Sequence, residues 1–89
     1  MLKISYSNQF KKELKRQEKR GKDLKKFIEI SEKLANKKYL EPKYRNHRLV
    51  GNFKGRWECH IEPDWLLIYF KGDENLIFER TGTHSDLFK

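Results

Sequence analysis

The chain has a single cysteine, Cys59, among its 89 residues. One cysteine excludes an internal disulfide and a cysteine-rich zinc site, and a small domain without such staples suits a reducing cytoplasm. Cys59 lies in an alternating apolar pattern and reads as a buried small residue. Long hydrophobic runs are missing too. The longest, Trp65 to Phe70, falls far short of the roughly 20 residues that a membrane span needs. The opening Met1-Leu2-Lys3-Ile4 has no long apolar region behind it, so no signal peptide is expected. With two prolines and five glycines there is no Ser/Pro-rich tract, linker or repeat. These absences leave one soluble, cytoplasmic domain with a thin core and no membrane partner.

Negative charge is also scarce. Thirteen Asp and Glu stand against 21 Lys and Arg, for a net charge of +8. Such a surface suits a polyanionic partner, because binding phosphates releases counterions. The charge is uneven: residues 11–26 hold nine Lys or Arg against three Asp or Glu, which is most of the excess. Lys11, Lys15, Lys19, Lys22 and Lys26 are therefore expected to contact nucleic acid. The bland alternative is a solvated helix face, and the concentration of charge favours contact.

Hydrophobic residues make up 36% and aromatics 13%, enough for a folded core. Leu2, Ile4 and Tyr6 alternate with polar residues, as in a short half-buried strand. Ser7 or Asn8 can cap a helix running to about Arg20, with Phe10, Leu14 and Gln17 inward and Gly21 ending it. Asp23 caps a second helix, whose inward positions read as Leu24, Phe27, Ile28, Ser31 and Leu34, and Asn36 stops it. Residues 39–46, containing Pro42, read as a loop. Strands follow at 47–53, 56–62, 65–71 and 75–81, with turns at Lys54-Gly55, Pro63-Asp64 and Gly72-Asp73. The nearly continuous apolar run at 65–71 predicts a central strand covered on both faces, and Phe53 and Trp57 read as packing residues. Residues 82–88 read as a short tail. The fold class is α+β: an N-terminal strand and a two-helix hairpin packed on one face of a mainly antiparallel sheet of four to five strands.

All three histidines, His47, His60 and His84, fall in the strand half. In a meander such positions can become neighbours, so His47, His60, Asp64, Arg80 and His84 can converge on one face or edge. That set suits RNA cleavage without a metal or other cofactor. One group takes the proton from the ribose 2′-hydroxyl and another gives one to the departing 5′-oxygen. Imidazole, with an ordinary pKa of about 6.5, can do either near neutral pH. A guanidinium can hold the charge of a pentacoordinate phosphate, and a carboxylate beside a histidine can fix its tautomer or act as a base. A lone histidine on a strand is more often structural, so the convergence is what matters. Arg80 shares its parity with apolar Leu76 and Phe78, so its exposure depends on a bend near Thr81-Gly82. No spacing of the HExxH kind supports a metal site. Trp65 and Phe88 offer faces for stacking a base, worth about 1–3 kcal/mol each, although the residues alone favour a core position for Trp65.

Three stretches carry a resemblance: Asn46-His47-Arg48-Leu49-Val50-Gly51, Cys59-His60-Ile61-Glu62-Pro63-Asp64-Trp65, and Phe78-Glu79-Arg80-Thr81-Gly82-Thr83-His84-Ser85-Asp86-Leu87-Phe88. With the blocks H-x-E-P-D-W and E-R-x-G-x-H-x-x-L-F in this order, the C-terminal half resembles the YafQ branch of the RelE toxin superfamily. The resemblance implies a compact RelE-like fold and ribosome-dependent cleavage of messenger RNA in the decoding site. It implies an acid–base cluster at His47, His60, Asp64 and His84, a phosphate-binding Arg80, and further active-site residues at Trp65 and Phe88. His84 and Asp64 are expected nearest the proton transfers, with His60 and His47 supporting charge and orientation. The implied partners are messenger RNA, ribosomal RNA and an acidic antitoxin of the DinJ/RelB type, through which alone operator DNA would be bound. A non-catalytic binder of RNA or the ribosome, and a ParE-like gyrase inhibitor on the same general fold, are the competing readings. Neither requires the histidine pattern.

Overall fold

The computed structural model describes residues 1–51 and 55–88. Strand β1, Lys3–Tyr6, leads into helix α1, Asn8–Lys19, and helix α2, Leu24–Ala35. A 3-10 turn at Pro42–Tyr44 precedes strands β2, His47–Arg48, β3, Trp57–Glu62, β4, Trp65–Lys71, and β5, Asn75–Gly82. A short helix α3, His84–Leu87, follows. The five strands form one sheet in the order β1-β5-β4-β3-β2. β2 to β5 make an antiparallel meander, and β1 joins β5 in parallel.

Local chemistry sets the helix ends. The Ser7 hydroxyl accepts the Phe10 amide at 2.9 Å and donates to the Glu79 carbonyl at 2.9 Å, so the cap of α1 also ties it to β5. Gly21, at φ 91°, makes the left-handed turn out of α1. Asp23 accepts the Lys25 amide at 3.0 Å and starts α2.

The main core lies between these helices and one sheet face. Phe10, Phe27 and Phe78 pack with ring centroids 5.1–5.7 Å apart, and Trp65, Leu67 and Tyr69 of β4 join the same cluster. Burying each such side chain contributes on the order of 1.5–3 kcal/mol, which makes this face the principal source of stability. Leu66 and Ile68 point the other way and pack with Leu87 and Leu49. β4 is thus covered on both faces, as its unbroken apolar run predicts.

Three local expectations need correction. Ile28 is 50% exposed while Ile30, at 1%, takes the core position on α2. The predicted strand at 47–53 is paired as a strand only at His47–Arg48; Asn52, Phe53 and Lys54, including the packing role and turn read there, lie outside the described residues. The predicted tail at 82–88 contains α3, because Thr83 and Asp86 form a reciprocal cap ahead of apolar Leu87.

Candidate active site

Four strands each place one residue in a row across the sheet. His47, Glu58, Ile68 and Arg80 are successive cross-strand partners on β2, β3, β4 and β5. His60 and Leu66 pair one step along the same face, where Leu66 meets Gly82. Partners share a face, and Leu66 and Ile68 belong to the small cluster with Leu87. Both strand histidines, Glu58 and Arg80 therefore lie on the side of the sheet away from α1 and α2.

A β-bulge decides the face of Arg80. Phe78 pairs with Tyr69, but Arg80 pairs with Ile68, leaving Glu79 as an extra residue. The slip turns Arg80 out of the apolar row of Leu76 and Phe78. The bend expected near Thr81-Gly82 sits at Glu79 instead. Arg80 Nε and Nη2 then reach the carboxylate of Glu13 on α1, at 2.9 and 2.7 Å. That hydrogen-bonded carboxylate raises the guanidinium pKa above its ordinary value, so Arg80 is a permanent cation.

Glu58 is a residue that sequence reasoning missed. Its side chain is 6% exposed, and its Oε1 lies 3.4 Å from His47 Nε2 and 3.6 Å from His60 Nε2. Each ring is also held at its other nitrogen. His47 Nδ1 lies 2.6 Å from the Arg45 carbonyl, and His60 Nδ1 lies 3.2 Å from the Pro63 carbonyl. A carbonyl only accepts, so each Nδ1 carries hydrogen and each Nε2 faces the carboxylate. The available signal was parity: Glu58 is two residues before His60 on the polar side of β3.

α3 brings the third histidine. His84 opens the helix, its backbone amide donating to Asp64 Oδ1 at 3.0 Å, with its Nδ1 3.8 Å from the same oxygen. The rings of His84 and His60 are 6.1 Å apart, and Phe88 lies 5.8 Å from His84. Asp86 seats the helix. Its carboxylate accepts from the Thr83 amide at 2.9 Å and from Arg20 Nη1, at the end of α1, at 2.7 Å.

The Arg20 hydrogen bond, then the Thr83 amide, hold the Asp86 carboxyl below its ordinary value of 3.8. A depressed carboxyl stabilises the fold above its unfolded pKa and loses that contribution as pH falls. The melting temperature should therefore drop as pH falls below 3.8, and Asp86→Asn should flatten that drop. Parallel melting curves for the two proteins across that range would expose an error here.

Trp65 requires correction as a stacking residue. It is fully buried, with Nε1 donating to Thr81 Oγ1 at 2.9 Å, so no base can reach its face. Phe88 is 38% exposed beside His84. The basic helical residues divide in two. Lys11, Lys15 and Lys19 are exposed on α1, whereas Lys22 and Lys26 grip Glu62 at 3.0 and 2.8 Å. Those two bonds, Lys26 first, lower the Glu62 pKa. Among the described residues, no three His, Cys, Asp or Glu converge as a set of metal ligands, and no helix is long and apolar enough to cross a membrane.

The model of a bacterial toxin family of type II toxin–antitoxin systems, YafQ, matches residues 2–89. The chain belongs to the YafQ toxin family. The mRNA interferase toxin YafQ of Escherichia coli K12 is 45% identical over 86 residues, covering 96% of this chain and 94% of that protein. YafQ in the Escherichia coli DinJ–YafQ toxin–antitoxin complex is 44% identical, covers 99% of this chain and 98% of its own, and superposes with a TM-score of 0.91. A metal-bound toxin from Helicobacter pylori is 44% identical, with a TM-score of 0.92 over 99% of this chain and all of its own. The RelE-like α+β fold expected from the sequence is therefore the fold of solved YafQ structures.

Proposed function

We propose that this chain is an endoribonuclease that cuts messenger RNA in the ribosomal decoding site, by attack of the ribose 2′-hydroxyl and without a metal ion. The observation that carries the reading is the meeting of His47, Glu58, His60, Asp64 and His84 on one edge of the sheet face that also bears Arg80. Binding alone needs no such set of titratable groups. The name of the Escherichia coli relative, an mRNA interferase, supports messenger RNA as the target.

In-line attack places the incoming and leaving oxygens on opposite sides of phosphorus. The base and the acid must each reach one oxygen at hydrogen-bond distance, so they stand roughly 6 Å or more apart. Asp64 and His84 Nδ1, at 3.8 Å, are too close to flank the phosphate. The rings of His60 and His84, at 6.1 Å, fit the requirement better. The proton transfers are therefore assigned to those two histidines, in place of His84 and Asp64. Asp64 orients His84, while Glu58 and His47 hold the surroundings of His60. Arg80 binds the phosphate, and Phe88 stacks on a base beside it. The products are a 2′,3′-cyclic phosphate and a 5′-hydroxyl.

Lys11, Lys15 and Lys19 contact ribosomal RNA, so the ribosome positions the substrate and provides part of the rate. Reversing their charge to Glu should weaken ribosome binding strongly and steepen with falling salt. Reversal at Lys22 or Lys26 should chiefly lower thermal stability, because each loses its bond to Glu62. Equal binding losses at all five positions would sink this division. The second partner is an acidic antitoxin of the DinJ/RelB type, matched to the +8 chain, with operator DNA bound only through it.

Brief expression in bacteria followed by mapping of transcript 5′ ends tests the proposal. New in-frame ends within translated regions, absent from a His60→Ala/His84→Ala variant, are the expected result. Growth arrest without new ends, unchanged in the variant, would leave a protein that inhibits by binding.

A further inference from the structure

We propose that Glu13 is a positioning residue for cleavage, fixing the Arg80 guanidinium so that its outer edge meets the scissile phosphate. The inference rests on the reading of Arg80 as the phosphate-binding cation.

β1 ends at Tyr6, opposite Phe78, so from Glu79 onward β5 has no strand neighbour on that side among the described residues. The start of α1 takes its place. The Ser7 amide donates to the Phe78 carbonyl at 3.0 Å, and the Ser7 hydroxyl donates to the Glu79 carbonyl at 2.9 Å. Glu13, on the second turn of α1, then accepts the Thr81 amide at 3.1 Å through Oε1. The same carboxylate accepts Arg80 Nε at 2.9 Å and Nη2 at 2.7 Å. Glu13 is only 5% exposed along its side chain, against 30% for Arg80, so the carboxylate is the fixed member of the pair and the guanidinium its outward extension.

This is a two-point grip on one edge of a planar fork. It fixes the plane of the guanidinium and leaves both hydrogens of Nη1 and the outer hydrogen of Nη2 for a phosphate oxygen pair. The neighbouring contacts are equally fixed. Thr81 Oγ1 donates to the Leu66 carbonyl at 2.7 Å and accepts from Trp65 Nε1 at 2.9 Å. A preorganised cation helps most when it need not reorganise as charge develops, and this framework supplies that condition from α1, an element that contributes no catalytic residue.

The experiment is a double-mutant cycle on the full-length chain with messenger RNA on programmed ribosomes, read as maximal single-turnover rate and half-saturating concentration. Arg80→Ala should slow the reaction by about 10²–10³-fold, as loss of one charge-stabilising donor does elsewhere. Glu13→Gln should slow it by roughly 10–100-fold, the scale of a 1 Å misplacement, without raising the half-saturating concentration, because Arg80 keeps its charge. The double variant should be no slower than Arg80→Ala alone, since Glu13 acts through Arg80. Thermal melting checks that Glu13→Gln folds; if it does not, Glu13→Asp, which keeps the charge and withdraws it by one methylene, takes its place in the cycle. Losses that multiply in the double variant would mark Glu13 as a general structural support and overturn the inference. So would a wild-type rate for Glu13→Gln beside a slow Arg80→Ala. A wild-type rate for Arg80→Ala itself would overturn the reading of Arg80, and the role of Glu13 with it.

Discussion

Replacing His84 by alanine is expected to slow messenger RNA cleavage by about 10²–10⁴-fold, the range for loss of a positioned general acid or base. The expectation follows from where the ring stands. It faces His60 at 6.1 Å, has Asp64 beside Nδ1 and Phe88 at 5.8 Å, and is 60% exposed along its side chain. An exposed ring has little packing to lose, and the bond from its backbone amide to Asp64 survives in the variant. Stability should therefore change by no more than about 0.5 kcal/mol. The informative result is a large fall in rate with an unchanged melting curve. A His84→Ala protein that still cleaves at the wild-type rate would remove His84 from the proton transfers.

Gly82→Ala is expected to disable the site without touching a catalytic group. A Cβ on Gly82 would lie 2.9 Å from both the Cβ and Oδ2 of Asp86. Asp86 cannot yield easily, since Arg20 and the Thr83 amide hold its carboxylate from two sides. The strain must be relieved by lifting α3, which carries His84 and seats Leu87 on Leu66 and Ile68. Overpacking of this kind costs about 1–3 kcal/mol, and each kcal/mol lowers the melting temperature of a domain this size by about 4–8 °C. A 1 Å shift of His84 adds a loss of up to about 10²-fold in rate. An alanine variant that melts and cleaves like the wild type would mean that α3 is seated loosely and that the contact at Gly82 is incidental.

The legible parts of this molecule are those governed by local rules. Ser7, Gly21, Asp23 and Asn36 mark helix ends within a residue or so, because caps satisfy backbone groups nearby in sequence. β3 and β5 follow from alternation, β4 from its apolar run, and all three from the turn residues between them. What local rules cannot reach is register. The bulge at Glu79, which decides the face of Arg80, depends on how β5 meets β4 and leaves no mark in the alternation of β5 itself. Glu58 was hidden for the same reason: a glutamate alternating with Trp57 and Cys59 looks solvated until the register of β2 brings His47 beside it, next to His60. Glu13 sits among lysines on a basic helix, and only the shortness of β1 gives it an amide to accept. Ile28 and Ile30 show a further limit, since both fit a helical stripe until packing chooses which face of α2 is buried. The α3 helix, by contrast, was legible and unread, its Thr83 and Asp86 forming a capping box just before Leu87.

The parallel pairing of β1 with β5 has a consequence for the order in which contacts form. Lys3 finds its partner at Asn75, and α1 rests on β5, so segments far apart in sequence complete each other. Contacts that span most of a chain form only after the intervening loop has been closed, which makes them slow and late. Until the segment Asn75–Gly82 is available, α1 has no strand to cap, Glu13 has no amide or guanidinium to hold, and the histidine row lacks its cationic end. His47, Glu58 and His60 meet on β2 and β3 alone, but their cationic partner waits for β5. Arg80 joins them only once β5 has paired with both β1 and β4.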